Sequence, residues 1–333
     1  MKVSVIGAGA WGTTIAALLV RNNHEVVLWA HELEVSDAIN KSHENPIYLS
    51  GEKLPAELKA TSDIVSAVKG CALLFFVTPS HHLRAVLKEA AGNIGRNAIL
   101  VSCTKGIEEV SLLTMSNVIA QELKRAEKNI VALGGPSFAR EVIKGLPAAV
   151  SAASHNEPAA KEAQVALSQD RFRVYVTDDV IGVELGGSVK NVIAIATGIS
   201  DGLGLGANAR AALITRGISE LTRLGVKMGA NPLTFNGLAG LGDMVLTCLD
   251  DLSRNRTVGL EIGKGRKLKD ILAGMQGVAE GVRTCRAVQS LAKKYEIEMP
   301  IVQNVNEILY EDKNPRDAVF ELMTRELKRE REW

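Results

Sequence analysis

Residues 2–29 contain the pattern that most restricts the fold of this 333-residue chain. A β-branched run at 2–6 is followed by Gly7-Ala8-Gly9-Ala10-Trp11-Gly12, a helical stretch at 13–21 and a second strand at 25–29. A strand, a GxGxxG turn, a helix and a strand form the context of a dinucleotide-binding fingerprint. We predict that Gly7 permits the tight turn, Gly9 admits a pyrophosphate and Gly12 allows close packing. A glycine-rich turn without a ligand is the alternative.

The later pattern divides the chain into two parts. Further strands are predicted at 72–77, 98–102, 130–133, 148–153 and 173–176. Helical stretches separate the earlier strands, which predicts an α/β fold with a doubly wound, mainly parallel sheet. After Asp178 only helical patterns continue, at 207–224, 232–237, 240–250, 254–263, 268–275, 281–295, 301–310 and 315–330. We therefore predict a dinucleotide-binding domain at 1–178 and an all-helical substrate-binding domain at 179–333.

Composition limits the partners and the compartment. The chain is 46% hydrophobic and 23% charged with a net charge of +1, so nothing favours a nucleic acid or an anionic membrane as partner. It has neither an 18-residue apolar run nor a charged and apolar leader, which predicts no membrane span and no secretory signal. Four separated cysteines, without a CxxC pair, predict buried thiols in a reducing cytoplasm. The histidine spacing predicts no metal site.

The residues that follow the predicted strands are candidates for ligand binding, because α/β sheets bind ligands beyond the carboxyl ends of their strands. The second strand ends at Ala30, His31 and Glu32. An acid there favours NAD and a basic residue admits NADP, so this pair leaves the cofactor open. Lys105 follows a later strand, where cofactor and substrate are expected to meet. The alternative for Lys105 is an ordinary loop lysine.

Residues 181–200 predict a buried amphipathic helix. Its apolar stripe consists of Ile181, Leu185, Val189, Val192, Ala196 and Ile199. The opposite face consists mainly of small residues around one charge, Lys190, with Asn191 beside it. Gly186 and Gly187 in a helix interior suggest that something approaches the backbone closely. Lys190 is thus either a lysine that faces a ligand cleft or a surface lysine on a tightly packed helix.

A phosphate site is predicted from two later segments. Asp243 and Thr247 lie four residues apart on one helical face. Ser253 is a predicted N-cap, and a cap, a helix N-terminus and the Arg254 guanidinium together suit a phosphate dianion. The alternatives are a surface or capping acid at 243 and an ordinary helix start at 253–255. The glycine-rich residues 200–208 predict a turn between two helices. These features favour hydride transfer to a small phosphorylated ketone.

Seven motifs, spread over almost the whole chain, resemble those of the bacterial NAD(P)-dependent glycerol-3-phosphate dehydrogenases. They are GAGAWGT at 7–13, TKG at 104–106, GGPSFA at 134–139, the long stretch at 186–217, AGLGDMVLTC at 239–248, SRNR at 253–256 and VAEG at 278–281. The stretch at 186–217 is highly specific to that family. The resemblance implies a Rossmann-type sheet followed by an all-α C-terminal domain, the 6-phosphogluconate dehydrogenase-like architecture.

The resemblance also implies roles for single residues. Lys190 matches the proton donor and acceptor at the C2 oxygen of the substrate, and Lys105 matches a contact to both substrate and cofactor. The implied substrate-binding residues are Lys105, Gly135, Ser137, Lys190, Asp243, Thr247, Ser253, Arg254 and Asn255. The cofactor-binding residues, from the fingerprint and the resemblance together, are Gly7, Gly9, Ala10, Trp11, Gly12, His31, Lys105, Ala139, Arg254, Val278 and Glu280.

The activity implied by the resemblance is reversible reduction of dihydroxyacetone phosphate to sn-glycerol 3-phosphate by NADPH or NADH, which supplies glycerophospholipid synthesis. Members of the family are usually dimers, so we expect a cytoplasmic homodimer. For the reverse reaction, burial and the positive nicotinamide ring must lower the pKa of Lys190, and Asp243 acts in the opposite direction. Two alternatives remain. They are a related two-domain reductase for another hydroxyacid or sugar acid, which should lack SRNR, and a non-catalytic nucleotide sensor, which should lack the lysine.

Overall fold

Two compact units make up the chain. The computed structural model describes residues 1–125, 129–275, 277–327 and 329–330. The first unit comprises Met1–Lys105 and Leu113–Glu184, and the second comprises Gly106–Leu112 and Leu185–Trp333. These ranges differ from the predicted 1–178 and 179–333, because one continuous helix begins in the first unit and a short loop segment belongs to the second.

The first unit is built on an eight-stranded sheet. Its order is β3-β2-β1-β4-β5-β6-β7-β8, and all neighbouring pairs are parallel except β6 with β7. The strands are β1 Lys2–Ile6, β2 Glu25–Trp29, β3 Lys59–Thr61, β4 Leu73–Phe76, β5 Ile99–Ser102, β6 Ile130–Gly134, β7 Ala148–Ala153 and β8 Phe172–Thr177. The doubly wound, mainly parallel sheet is confirmed. The predicted strands omit β3, a three-residue edge strand.

Helices cover both faces of this sheet. They are α1 Ala10–Arg21, α2 Leu33–Ser42, α3 Ile64–Val68, α4 Ser80–Ala90, α5 Met115–Leu123, α6 Ala139–Ile143 and α7 Glu157–Leu167. Alternate residues of β4 enter different cores, with Leu73 and Phe75 in one cluster and Leu74 and Phe76 in the other. This alternation follows from the two-residue period of a strand, and burial on both sides explains why the strand is uniformly apolar.

The second unit is helical throughout its described residues. Its helices are α8 Val180–Gly202, which begins in the first unit, α9 Gly206–Lys227, α10 Asp243–Leu249, α11 Arg254–Gly263, α12 Leu268–Ala273, α13 Glu280–Lys294, α14 Pro300–Tyr310 and α15 Pro315–Met323. A 3₁₀ turn at Pro232–Asn236 and a π-helical turn at Leu238–Gly242 precede α10. The all-helical C-terminal architecture is confirmed, as is the turn between α8 and α9.

The last predicted helix, 315–330, is too long. Helix α15 ends at Met323, and the described residues beyond it are exposed. A further turn without a buried face would have little tertiary packing to stabilise it, which explains the early end. Residue 328 of the predicted helix lies outside the described residues.

Helix α8 differs from the predicted amphipathic helix because it has no exposed face. Every residue from 182 to 200 is buried. Its length and apolar composition would suit a membrane span, but 89% of its most apolar window is buried inside the protein. Within the described ranges no other helix meets that criterion. The apolar character of α8 is thus accounted for by burial within the protein.

Glycines let α8 approach its neighbours in the second unit. A Cβ atom at Gly198 would overlap the carbonyl oxygen of Arg256, and one at Gly259 would overlap that of Ile195. A Cβ at Gly186 would overlap the carbonyl oxygen of Ala239. The close approach predicted at Gly186 is therefore made by the protein's own backbone.

Candidate active site

The fingerprint loop between β1 and α1 has the geometry of a phosphate cradle. Gly7 has a φ of +118°, and a Cβ there would lie 2.9 Å from the carbonyl oxygen of Val77. A Cβ at Gly12 would overlap the carbonyl oxygen of Gly7, whereas a Cβ at Gly9 would meet nothing within 4 Å. Two glycines are thus required by packing, and the third leaves open space beside the first turn of α1. The N–H groups of that turn lack partners inside the helix, so the loop fits a pyrophosphate.

The end of β2 presents one basic and one acidic side chain. His31 is exposed, and its ring centroid lies 6.0 Å from that of Trp29. Glu32 is half-buried, and its Oε1 accepts a hydrogen bond of 2.7 Å from the Tyr48 hydroxyl. This hydrogen bond is the largest cause that raises the pKa of Tyr48 to about 12. The phenol is therefore a protonated donor at neutral pH.

The residues after β5 and β6 meet at the same edge of the sheet. Lys105 Nζ donates to the carbonyl oxygen of Gly135 at 3.3 Å, and Ser137 Oγ donates to the same oxygen at 3.0 Å. Gly135 has a φ of +132°, and a Cβ there would lie 2.9 Å from Cα of Val150. The structure thus brings Lys105, Gly135 and Ser137 together. Ala139 begins α6, and its carbonyl oxygen accepts from Thr14 Oγ1 of α1 at 3.3 Å.

In the second unit Lys190 lies in a buried polar cluster. Its Nζ lies 2.5 Å from Asp243 Oδ1 and donates to Thr247 Oγ1 at 2.8 Å. The three residues are 6%, 1% and 3% exposed, respectively, so the interpretations of Lys190 as a surface lysine and of Asp243 as a surface acid are wrong. The hydroxyl of Thr247 donates to the carbonyl oxygen of Asp243 at 2.6 Å. Because the Thr247 hydroxyl proton is used in that bond, the hydroxyl oxygen acts as the acceptor for Lys190.

The start of α11 forms the second polar group of this unit. Ser253 is the N-cap, as predicted, and its Oγ accepts from the backbone N–H of Arg256 at 3.2 Å. Asn255 donates to Asn191 Oδ1 at 2.9 Å, and its own Oδ1 accepts from the backbone N–H of Gly281 at 2.9 Å. These two bonds tie the helix of Lys190 to α11 and to the first turn of α13.

The two arginines of the SRNR motif have different surroundings. Arg256 Nη2 lies 2.7 Å from Asp201 Oδ2, and Arg256 Nη1 lies 2.5 Å from Asp251 Oδ1. Arg254 is exposed and lies against Gly277, where a Cβ would overlap its Nη1. The Arg256 guanidinium is therefore bound to carboxylates, whereas Arg254 lies on an exposed face.

The four cysteines are all free and buried, as predicted. Burial raises the pKa of the Cys248 thiol to about 12 and also raises the pKa of Cys103 and Cys285. Because the thiolate is the nucleophile, burial disfavours a nucleophilic role for these thiols.

Two family models match the chain. One, described as the NAD-dependent glycerol-3-phosphate dehydrogenase N-terminus, matches residues 2–160, and the other, described as the C-terminus of the same enzyme, matches 179–320. The chain belongs to the NAD-dependent glycerol-3-phosphate dehydrogenase family.

Individual relatives agree with this assignment. An NAD(P)+-dependent glycerol-3-phosphate dehydrogenase of Citrifermentans bemidjiense is 52% identical over 330 residues, which are 99% of this chain and 98% of that protein. The crystal structure of a glycerol-3-phosphate dehydrogenase from Coxiella burnetii superimposes with a TM-score of 0.92 at 43% identity, covering 97% of this chain and 99% of that one. A ketopantoate reductase from Ralstonia eutropha shares the fold alone, with a TM-score of 0.61 at 16% identity over 96% of this chain and all of that one.

A member of the glycerol-3-phosphate dehydrogenase family is an oxidoreductase, and this chain is one. It reduces dihydroxyacetone phosphate to glycerol 3-phosphate with NADH or NADPH. Because the family match spans both halves of the chain, the alternatives of a related reductase and a nucleotide sensor are set aside.

The predicted residues of this dehydrogenase fall into the two units separately. The first contains the fingerprint residues Gly7 to Gly12, His31, Lys105, Gly135, Ser137 and Ala139. The second contains Lys190, Asp243, Thr247, Ser253, Arg254, Asn255, Val278 and Glu280.

Three residues without a predicted role contact residues of the predicted site or its flanks. Asn191 binds Asn255, Asp201 binds Arg256 and Tyr48 binds Glu32. Asn191 is adjacent to Lys190 in the sequence, and this adjacency could have identified it as a residue of the site. Asp201 and Tyr48 lie in stretches that predict only turns or coil, so no local pattern singles them out.

Proposed function

We propose that Lys190 is the acid in the reduction of dihydroxyacetone phosphate to sn-glycerol 3-phosphate and the base in the reverse oxidation. The observation that supports this role is the buried contact of Lys190 Nζ with Asp243 and Thr247. A buried carboxylate at 2.5 Å favours the ammonium form, which is the form that donates a proton.

Binding of the cofactor is assigned to the fingerprint loop and to the strand ends of the first unit. The open space at Gly9 admits the pyrophosphate, and the first turn of α1 supplies N–H donors. Lys105, fixed by Gly135, supplies positive charge at the sheet edge. When bound, the reduced cofactor supplies a hydride from C4 of its nicotinamide ring to C2 of the substrate. We assign Ala10, Trp11, His31, Ala139, Arg254, Val278 and Glu280 to the same ligand.

Binding of the substrate phosphate is assigned to the start of α11. The helix N-terminus capped by Ser253 offers N–H groups, and Arg254 offers a guanidinium on an exposed face. Asn255 has one amide proton in its bond to Asn191, which leaves the second for an anion. A phosphate dianion suits this combination of helix dipole, cation and amide.

Proton transfer completes the reaction. As the hydride forms the new C–H bond at C2, the carbonyl electron pair moves to oxygen, and the Lys190 ammonium donates its proton to that oxygen. In oxidation neutral Lys190 takes the proton back. Thr247 accepts a hydrogen bond from Lys190 and so orients it, while burial keeps bulk water from competing.

The test is cofactor oxidation with dihydroxyacetone phosphate, followed by nicotinamide absorbance. Lys190→Ala is expected to reduce kcat by about 10³-fold or more, within the range of general acid catalysis plus electrostatic stabilisation. Lys227→Ala, at the exposed end of α9, is the matched control and should retain activity. Full activity of Lys190→Ala would refute the assignment, provided that both variants bind cofactor.

The cellular setting is also proposed. Cytoplasmic location, a homodimer and supply of glycerol 3-phosphate to glycerophospholipid synthesis follow from the family resemblance. Expression in a bacterial strain that lacks its own enzyme should restore growth without added glycerol 3-phosphate, and sedimentation should give twice the chain mass. Failure of either result would refute the corresponding proposal.

A further inference from the structure

The carboxylate of Glu32 is fixed at the carboxyl end of β2. Glu32 occupies the N-cap position of α2 with extended backbone angles, φ −86° and ψ 124°, yet its side chain makes no capping bond. Its Oε1 instead accepts from the Tyr48 hydroxyl at 2.7 Å. In Rossmann-type sheets the acid at this place binds the 2′-hydroxyl of the adenosine ribose.

Tyr48 is tied to the fingerprint loop through Asn45. The backbone N–H of Tyr48 donates to Asn45 Oδ1 at 3.0 Å. The amide of Asn45, which is fully buried, donates to the carbonyl oxygen of Ala8 and to Thr13 Oγ1, both at 2.8 Å. Ala8 stands between Gly7 and Gly9. The chain of bonds therefore fixes the carboxylate relative to the loop assigned to the pyrophosphate.

The charges around Glu32 favour a neutral ribose over a phosphorylated one. One carboxylate oxygen is bound to Tyr48, and the second can accept from a ribose hydroxyl. Glu34, in the first turn of α2, is exposed, so solvent screens its charge. Lys41, in the last turn of the same helix, is paired with Asp37 at 2.8 Å. His31 is the basic neighbour, and it is exposed. A 2′-phosphate dianion would thus meet a fixed carboxylate.

We propose that Glu32, positioned by Tyr48, makes this enzyme select NADH over NADPH. The inference rests on the proposed function, because it assumes that the fingerprint loop binds a nicotinamide dinucleotide. The carboxylate accepts from the 2′-hydroxyl of NADH and repels the 2′-phosphate of NADPH.

The test is calorimetric titration of the full chain with NADH and with NADPH, without substrate. The dissociation constant for NADH should be lower by about tenfold or more. Glu32→Gln keeps the shape and removes the charge, so it should tighten NADPH binding and reduce the ratio at least about threefold. Tyr48→Phe releases the carboxylate and should also reduce the ratio. Glu34→Gln is the matched control, and it should change the ratio less than about twofold.

The outcomes separate this inference from the proposed function. Equal or tighter binding of NADPH by the native chain would overturn the selectivity. A ratio that is the same in Glu32→Gln and in the native chain would remove Glu32 as its cause. Absence of binding by both cofactors would instead overturn the proposed function. Steady-state kcat/KM values for the two cofactors provide a second measure of the same ratio.

Discussion

Lys190 Nζ and Asp243 Oδ1 lie 2.5 Å apart, with side-chain exposures of 7% and 1%. Such a pair is costly to break, since removal of one partner leaves the other charge buried and uncompensated. Asp243 therefore stabilises the proton on Lys190 and depends on that proton for its own burial. The pair links the proposed chemistry to the packing of the second unit.

Asp243→Asn should shift the pH profile of the reduction. Reduction needs the ammonium form of Lys190, and that form is lost as pH rises. Without the carboxylate the ammonium form is lost at lower pH, so the alkaline limb of kcat should move to lower pH. Initial rates between pH 6 and 10 measure the limb. Asp270→Asn, an exposed acid on α12, should leave the limb in place, and an unmoved limb in Asp243→Asn would contradict the proposed acid role.

Asp201 and Asp251 bind the same guanidinium, that of Arg256, from different environments. The side chain of Asp201 is 6% exposed and that of Asp251 is 95% exposed. Asp201→Asn should lower the free energy of unfolding by about 3 kcal/mol, because it removes the buried carboxylate that pairs with both Arg256 and Arg210. Asp251→Asn should lower it by less than about 1 kcal/mol. Urea unfolding of both variants measures the difference, and equal losses would contradict the contrast in burial.

Substitution of two fingerprint glycines should have different effects, one on stability and the other on cofactor binding. Gly12→Ala places a Cβ against the carbonyl oxygen of Gly7 and should lower the free energy of unfolding by about 2 kcal/mol or more. Gly9→Ala meets open space at the N-cap of α1 and should lower it by less than about 1 kcal/mol, but weaken NADH binding about tenfold. Thermal unfolding and NADH titration of each variant test both claims. Undiminished NADH binding by Gly9→Ala would argue against a pyrophosphate at this loop.

Glu220 should make stability depend on pH. Burial raises its pKa from 4.5 to about 7, although the backbone N–H groups of Ile301 and Val302 and the nearby Arg223 and Arg216 act in the opposite direction. Between pH 4.5 and 7 the unfolded carboxyl ionises while the folded one stays protonated, so stability falls as pH rises. The loss is about 3 kcal/mol. Above pH 7 both forms are ionised and the loss stops.

Comparison with Glu220→Gln isolates this contribution, because other titrating groups affect both proteins alike. Urea unfolding at pH 5 and pH 8 should give a larger drop for the native chain than for the variant. An equal drop in the two proteins would show that Glu220 titrates normally in the folded state.

The sequence predicts most of the sheet because its strands are apolar runs bounded by glycine and polar residues. Strand β3 is not predicted by this pattern, because Lys59–Thr61 is short, lies at the edge of the sheet and pairs through its backbone. The prediction for helix α8 differs from the structure for another reason. Its small residues indicate a face open to a ligand, but other helices and turns cover that face. Periodicity shows which residues can be buried, and it does not show what buries them.

The candidate site could be predicted where short motifs imply their own geometry, as with the fingerprint loop and the N-cap at Ser253. Contacts between segments that are distant in the sequence could not be predicted from it. Asp201 lies 55 residues from Arg256, and Tyr48 lies 16 residues from Glu32. No local pattern encodes those pairs, which exist only once the tertiary fold brings them together. The burial of Asp243 was likewise invisible, because the same acid on an exposed helix has the same sequence spacing.

The burial of α8 has a practical consequence for engineering. Side chains on this helix support the core while Lys190 performs the proposed chemistry, and glycines such as Gly198 leave no room for larger residues. A substitution meant to tune the rate through this helix will also alter the folding equilibrium. Variants with altered substrate range are therefore more accessible at the exposed Arg254 than anywhere along 182–200.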